Sequence, residues 1–178
     1  MEYVDLGLSV KWASCNLGAD EPEIQGSQKF WGVTKENYYN LIPALSRLIE
    51  DTFSIMKIDK NGVNNKDLVL NPLDDAAHSI LGGSWRMPTY NEFNELYRLC
   101  IWRWLYKDGS YGYQVKSLIE GYKNQSIFLP VGQYGRYWSS TYYKKGSFKA
   151  RGLSIDSYNA SFGCGDVRTA MMIRPVCP

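Results

Sequence analysis

The sequence predicts an α+β domain, and three observations lead to that fold class. Thr89 and Glu92 stand three residues apart at the start of an apolar pattern of helical period, which indicates a capped helix. Apolar and polar residues alternate over residues 4–10, as in a half-buried strand. The second half of the chain holds short apolar runs separated by turn residues, which are typical of strands. Together these patterns give one α+β domain over residues 1–178.

The first half of the chain contains one predicted strand region and one predicted helix before the capped helix. The alternation over residues 4–10 predicts either a single strand or a pair of strands that turns at Gly7. Leucine and isoleucine recur at helical spacing further along, which predicts a helix over residues 43–53 with Pro43 in its first turn. Residues 59–66 are rich in turn formers and resemble a calcium loop in composition only. The twelfth position of that loop is Leu70 instead of a carboxylate, so we expect no calcium there.

The best-signalled element is the helix that begins at Tyr90. The Thr89 hydroxyl can accept a hydrogen bond from the backbone N–H of Glu92, and the Glu92 carboxylate can accept one from the backbone N–H of Thr89. Pro88 keeps the incoming chain extended. One face of the helix is apolar, and it carries Phe93, Leu96, Tyr97 and Cys100. We therefore expect this helix to bury one side, with Trp85, Trp102 and Trp104 adding aromatic surface to the same core.

The rest of the chain is predicted to be mainly strands. Asp108 and Gly109 are turn formers, and they lead into a predicted strand over residues 111–118. Further strands are predicted over residues 126–131, 137–141, 150–155, 158–162 and 171–176. The sequence shows no linker and no internal repeat.

Composition and charge exclude several classes of function. The net charge of +2 is too small to indicate a nucleic-acid partner, and no apolar stretch is long enough to span a membrane. The N-terminus lacks the pattern of a signal peptide, so we expect either a leader that has been removed or none at all. The 14 tyrosines and 6 tryptophans exceed what a core alone needs, which favours a recognition surface as well as a tyrosine-rich sheet.

Few residues carry patterns that indicate catalysis. His78 is the only histidine, which excludes sites that need two imidazoles, and we expect it to be a structural, hydrogen-bonded residue. Asp74 and Asp75 are better explained as caps of the turn that follows them than as an acid–base pair. Cys164 lies between two glycines in an accessible position, but no histidine stands near it to activate the thiol. No spacing among the four cysteines indicates a metal site, so we predict that the protein binds neither a metal nor a cofactor.

Several ordered blocks of the sequence resemble the Fibrobacter succinogenes major paralogous domain, a family abundant in Bacteroidetes. The blocks are YVDLGLSVKWASCNLGA at 3–19, WG at 31–32, DDAAH at 74–78, GGSWRMPTYNEF at 82–93, IFLP at 127–130, YWSST at 137–141 and IRPV at 173–176. The resemblance implies a C-type-lectin-like fold, in which two helices flank small antiparallel sheets and the N- and C-terminal strands pair. It also brings Cys15 and Cys177 into one neighbourhood, which gives a disulfide between them as a hypothesis.

The same fold occurs in the variable proteins of diversity-generating retroelements, whose C-terminal segment is rewritten on a fixed scaffold. By that resemblance Ala150, Leu153, Ile155, Arg168 and residues 173–176 are scaffold, and residues 137–170 form the ligand-binding segment. The displayed, variable positions would be Tyr143, Arg151, Ser154, Asp156, Ser157, Tyr158, Asn159, Ser161, Gly163, Asp166 and Thr169. Tyrosine and arginine suit anchoring contacts there, and serine, asparagine and glycine suit adaptable ones. A retroelement variable protein and an ordinary surface lectin-like domain both fit this pattern.

The leading hypothesis is a recognition domain, not an enzyme, that binds a protein or glycan through this segment. It would be displayed outside the cell, on the cell surface or on a phage. Calcium-dependent sugar binding is not implied, because residues 21–23 (EPE) replace the usual tripeptide and no WND follows. The alternatives are an oxidase of the formylglycine-generating kind centred on Cys164, and a structural fimbrial or adhesin-like module. The formylglycine-generating kind uses a copper-binding cysteine pair, and Cys164 and Cys177 lack the separation expected of one.

Overall fold

The computed structural model describes residues 1–34, 63–64, 68–132, 134–144 and 147–178, with the backbone alone for residues 63–64. Within these ranges the chain forms two α-helices and three small antiparallel sheets. This confirms the predicted α+β class. The predicted helix over residues 43–53 lies outside the described residues, as do most of residues 59–66.

The first sheet joins the two ends of the chain. Its strands are β1 (Tyr3–Val4), β2 (Lys11–Ala13) and β11 (Val176–Cys177), with β2 in the centre. The prediction that terminal strands pair is confirmed, although residues 4–10 are not a continuous strand. Gly7 has a φ of 73° and donates its N–H to Asp5 Oδ1 at 2.8 Å, which turns the chain between β1 and β2.

The proposed disulfide between Cys15 and Cys177 is contradicted by this sheet. Cys177 pairs with Lys11, which is four residues from Cys15 along the chain, and all four cysteines are free. At about 3.3 Å per residue, that offset exceeds the Cα separation of about 7 Å that a disulfide tolerates. The Cys15 thiol instead donates to the carbonyl oxygen of Asp20 at 3.4 Å.

The second sheet has the order β5-β6-β7, with β5 at Cys100–Lys107, β6 at Ser110–Ser117 and β7 at Ser126–Pro130. The predicted turn at Asp108 and Gly109 is confirmed, since both residues have a positive φ, 42° and 90°. Positive φ at both central residues is the geometry of a two-residue hairpin turn that follows the twist of its strands. The sequence reasoning missed β5 itself, and Cys100, predicted on the helix face, begins this strand.

The third sheet has the order β10-β9-β8-β4-β3. Its strands are β3 (Val63–Asn64), β4 (Val69–Leu70), β8 (Arg136–Tyr142), β9 (Lys149–Ile155) and β10 (Ala160–Asp166). The prediction of a strand over residues 158–162 was wrong in its start, because Asp156 Oδ1 accepts the N–H groups of Tyr158 and Asn159 and so forms a turn there. The last predicted strand is also shorter than expected, since residues 171 and 172 form only isolated bridges.

Both described helices begin at side-chain caps. Helix α2 (Tyr90–Leu99) starts with the predicted capping box of Thr89 and Glu92, and it buries Phe93 and Leu96 against the sheets. Helix α1 (Ala76–Leu81) follows a short 3₁₀ helix (Pro72–Asp74). Asp75 caps α1, as predicted, by accepting the N–H groups of Ala77 and His78.

Candidate recognition surface

Most of the residues predicted to bind a ligand are exposed. Nine of the eleven are exposed, namely Tyr143, Ser154, Asp156, Ser157, Tyr158, Asn159, Ser161, Gly163 and Thr169, while Arg151 and Asp166 are half-buried. The predicted scaffold positions Ala150, Leu153 and Ile155 are buried. Arg168 was wrongly assigned to the scaffold, because its side chain is exposed and forms a salt bridge with Asp166. The buried residue of that turn is Val167.

The predicted residues do not form one patch, because they lie at both ends of β9. Tyr158 is 90% exposed at the turn that joins β9 to β10. Tyr143 follows β8, at the opposite end of the same sheet. The seven residues of β9 separate the two ends by about 20 Å. A ligand of ordinary monosaccharide or side-chain size therefore cannot contact both tyrosines.

The two faces of the β9–β10 hairpin divide the predicted residues further. Side chains alternate between faces along a strand, so Arg151, opposite Cys164, points away from the face that carries Ser154 and Ser161. The Arg151 face also carries Phe162, which lies opposite Leu153. Only this face meets α2, since the Phe162 and Tyr90 rings are in contact.

Arg151 lies between two aromatic rings. Its guanidinium carbon is 4.5 Å from the centroid of the Tyr90 ring and 5.4 Å from that of the Tyr143 ring. Both distances are typical of cation–π interactions, in which the positive guanidinium is attracted to the face of an aromatic ring. Tyr143 and Arg151 were predicted as site residues. Tyr90 was not, because it reaches this place from the first turn of α2.

A groove opens beside Arg151 between α2 and the inner strands β4, β8 and β9 of the third sheet. Its volume is about 640 Å³, and its lining includes Asn71, Pro72, Tyr90, Asn91, Thr141 and Arg151. The Thr141 hydroxyl oxygen accepts the N–H of Tyr90 at 2.9 Å, which fixes the start of α2 against β8. The groove is therefore lined by an aromatic ring, two amides, two hydroxyls and one guanidinium, together with the apolar side chains of Val69, Leu70 and Pro72.

A continuous series of aromatic rings runs from this groove across the molecule to the far end of β5. Consecutive ring centroids lie between 4.9 and 5.8 Å apart. We call this series the aromatic band, and its members in order are Tyr90, Phe162, Tyr97, Trp102, Tyr113, Trp104, Tyr111 and Tyr106. Most contacts are tilted or edge-to-face, whereas Trp104 and Tyr111 are stacked with an interplanar angle of 9°.

The band results from the pairing of β5 with β6. Residues 102, 104 and 106 share one face of β5, and their partners at 115, 113 and 111 share the same face of β6. Three tyrosines of the band are exposed: Tyr106 by 61%, Tyr111 by 58% and Tyr97 by 44%. Tyr113 is buried, and its ring packs edge-to-face against both Trp102 and Trp104.

One predicted site residue acts electrostatically on the buried ring of the band. Burial raises the pKa of the Tyr113 hydroxyl, and the negative charges of Asp156 and Tyr97 raise it further. Asp156 is exposed at the turn between β9 and β10.

The other predicted chemical groups have structural roles. His78 Nδ1 lies 3.3 Å from the carbonyl oxygen of Trp85, as expected for a structural imidazole. Asp75 Oδ2 also accepts the N–H of Met87 at 2.8 Å, so this carboxylate ties α1 to the segment before α2. Burial raises the pKa of Asp75 even though these N–H groups stabilise its charged form.

The cysteines lie apart from one another. Cys164 is exposed in the third sheet, whereas Cys177 is buried in the first sheet beside Lys11. Burial raises the pKa of the Cys100 thiol to about 11. Over the ranges that the structure describes, no three His, Cys, Asp or Glu side chains form a group that could hold a metal ion.

Comparisons with protein-family models, with curated proteins and with solved structures find no match to this chain. Among the described helices, none has the length and hydropathy needed to cross a membrane. The fold and surface described above define an α+β protein with a partly exposed aromatic surface and a groove at one end of it.

Proposed function

We propose that this protein is a recognition domain, not an enzyme, that binds a protein or glycan ligand through the aromatic band. The observation that supports this proposal is the exposure of three tyrosines of the band, Tyr97, Tyr106 and Tyr111, beside half-buried rings. Exposed rings such as Tyr106 and Tyr111 contact one another in a continuous row instead of being covered by the core. Tyrosine and tryptophan give large contact areas at low entropic cost, and contiguous exposed apolar surface of this kind marks interaction sites.

The proposed contact surface differs from the one predicted from sequence. It keeps Tyr143, Arg151 and Asp156, and it adds the band residues of α2, β5, β6 and β10. Ser154, Ser161 and Gly163 face the other way and are left outside it. The remaining predicted positions at the hairpin tip, Ser157, Tyr158 and Asn159, become peripheral contacts.

We also propose that the fold is C-type-lectin-like and that the chain is related to the Fibrobacter succinogenes major paralogous domain. The pairing of β11 with β2 and the two capped helices beside small antiparallel sheets support that relationship. Under this proposal the domain is displayed outside the cell or on a phage, where its exposed rings meet a ligand. Whether residues 137–170 vary between copies remains a prediction.

A binding screen with matched variants tests the proposed function. The folded domain is applied to glycan and protein arrays, together with the double variant Tyr106→Ala, Tyr111→Ala. We expect the variant to lose at least about tenfold in affinity for the ligand that the wild type binds, because hot-spot aromatic residues each contribute about 2 kcal/mol or more. The control is Tyr3→Ala, which removes a tyrosine of similar exposure (55%) from the first sheet. Equal binding by the double variant and the wild type would contradict the proposal.

A further inference from the structure

We propose that the groove beside Arg151 binds the carboxylate of an acidic sugar, and that Arg151 is the residue that recognises it. This inference rests on the proposed function and specifies its ligand. The groove adjoins the aromatic band at Tyr90, which belongs to both. An acidic glycan would place its carboxylate in the groove and its sugar rings along the band.

The charge of Arg151 has no carboxylate partner among the described residues. Two carboxylates on the neighbouring elements α2 and β10 are engaged elsewhere. Glu92 accepts hydrogen bonds from both terminal nitrogens of Arg86, and Asp166 forms a salt bridge with Arg168. Among the described side chains, the rings of Tyr90 and Tyr143 contact the Arg151 guanidinium. A half-buried cation without a counter-charge gains most from an anion that the ligand supplies.

The geometry of the guanidinium favours a planar carboxylate. Arginine presents a rigid fork of N–H donors that can bind both carboxylate oxygens. Because Tyr90 and Tyr143 restrict the side chain, less conformational entropy is lost when the ligand binds. The arginine is thus held in place before binding.

The size and lining of the groove favour a sugar over an acidic peptide. About 640 Å³ lies within the usual range for sites that bind small ligands. Asn71, Asn91 and Thr141 supply amide and hydroxyl groups for the hydroxyls of a sugar, and the apolar side chains of Val69, Leu70 and Pro72 can pack against its C–H groups. The exposed rings of the neighbouring band offer flat apolar faces on which pyranose rings can pack.

Calorimetric titration with paired probes tests this inference. Sialyllactose is compared with lactose, and oligogalacturonate with its methyl ester, so that each pair differs in its carboxylate. We expect the wild type to bind at least one acidic probe at least about tenfold more tightly than its neutral partner. The Arg151→Gln variant should remove that preference, and Arg151→Lys should restore only part of it because lysine lacks the planar fork. The control is Arg98→Gln, an exposed arginine elsewhere on α2. The melting temperature of each variant reports its folding.

The outcomes separate this inference from the proposed function. If neither acidic probe is preferred, or if Arg151→Gln keeps the preference, the groove does not recognise a sugar carboxylate. Preferential binding of a glutamate-rich peptide over both acidic sugars would also overturn it. In each of these cases, binding that depends on Tyr106 and Tyr111 would leave the proposed recognition function standing. Loss of carboxylate preference in Arg151→Gln, with neutral-probe affinity unchanged, supports the inference.

Discussion

Arg174 is the residue that most directly ties the ends of the chain to the second sheet. It is fully buried, and its guanidinium donates to Asn16 Oδ1 at 2.8 Å, to the Ala13 carbonyl at 3.0 Å and to the Phe128 carbonyl at 2.6 Å. Burial lowers the pKa of this group. The resemblance placed residue 174 in the scaffold. Its hydrogen-bond partners could not be predicted in this way, because residues 13–16, Phe128 and Arg174 are distant from one another in sequence.

Replacing Arg174 with leucine should destabilise the protein strongly. The change leaves several buried carbonyl groups without a donor, and each such group costs about 1–3 kcal/mol. We expect the free energy of unfolding, measured by urea denaturation, to fall by about 3 kcal/mol or more. The exposed Arg168→Leu variant is the control, and its free energy of unfolding should change far less. Similar losses in both variants would contradict the assigned role.

The four cysteines should differ sharply in reactivity. Cys164 is exposed, whereas Cys15, Cys100 and Cys177 are each only 6% exposed. Iodoacetamide should therefore label one thiol in the folded protein and four after unfolding, as read by mass spectrometry. Cys164→Ser should remove the native-state labelling. If only two thiols react in the unfolded protein, two of the four cysteines form a disulfide and the free state described here is wrong.

At the scale of single elements, the cap of α2 should make stability depend on pH. Burial of Glu92 alone would raise its pKa, but the bonds from Arg86 and from the Thr89 N–H outweigh it, so the pKa is lowered. The unfolded chain then binds more protons than the folded one as the pH falls below the ordinary value of 4.5. Stability from this group is present above that pH and is lost as the pH falls through the folded-state pKa.

The Glu92→Gln variant isolates this contribution. Its melting temperature should be lower than that of the wild type near neutral pH and should converge with it in acid, below the folded-state pKa. Thr89→Ala is the companion variant, and it should cost about 1 kcal/mol by removing the other half of the capping box. If the melting temperatures of Glu92→Gln and the wild type differ by a constant amount across the acid range, the charge of Glu92 contributes nothing to stability.

Elements with local chemical signals were the ones that the sequence predicted well. The capping box of Thr89 and Glu92 and the turn at Asp108 and Gly109 act through neighbouring backbone groups, so a short stretch suffices to read them. The start of β10 was misplaced because Asp156 bonds two amides ahead of it, a turn that composition alone did not reveal. β5 was missed because its aromatic residues were interpreted only as core.

At the scale of the whole molecule, the candidate site was predicted only in part. Alternation along β9 and β10 exposes Ser154, Ser161 and Gly163, and the other exposed positions lie in turns, so both signals are local. The aromatic band is different, because Tyr97, Trp104 and Phe162 come from a helix and two sheets. Only the tertiary structure brings these rings together, and the expected single patch over residues 137–170 divides between two faces and two ends of a hairpin.

The most direct test of this account compares the band with the hairpin tip on the same ligand. The ligand found in the array screen is titrated by calorimetry into the wild type, into Tyr106→Ala, Tyr111→Ala and into Tyr158→Ala. Tyr158 is the most exposed of these tyrosines, at 90%, yet it lies outside the row of ring contacts. We predict a loss of at least about tenfold for the double variant and of less than about threefold for Tyr158→Ala. Loss of binding in Tyr158→Ala, with normal binding by the double variant, would return the site to the hairpin that the sequence first indicated.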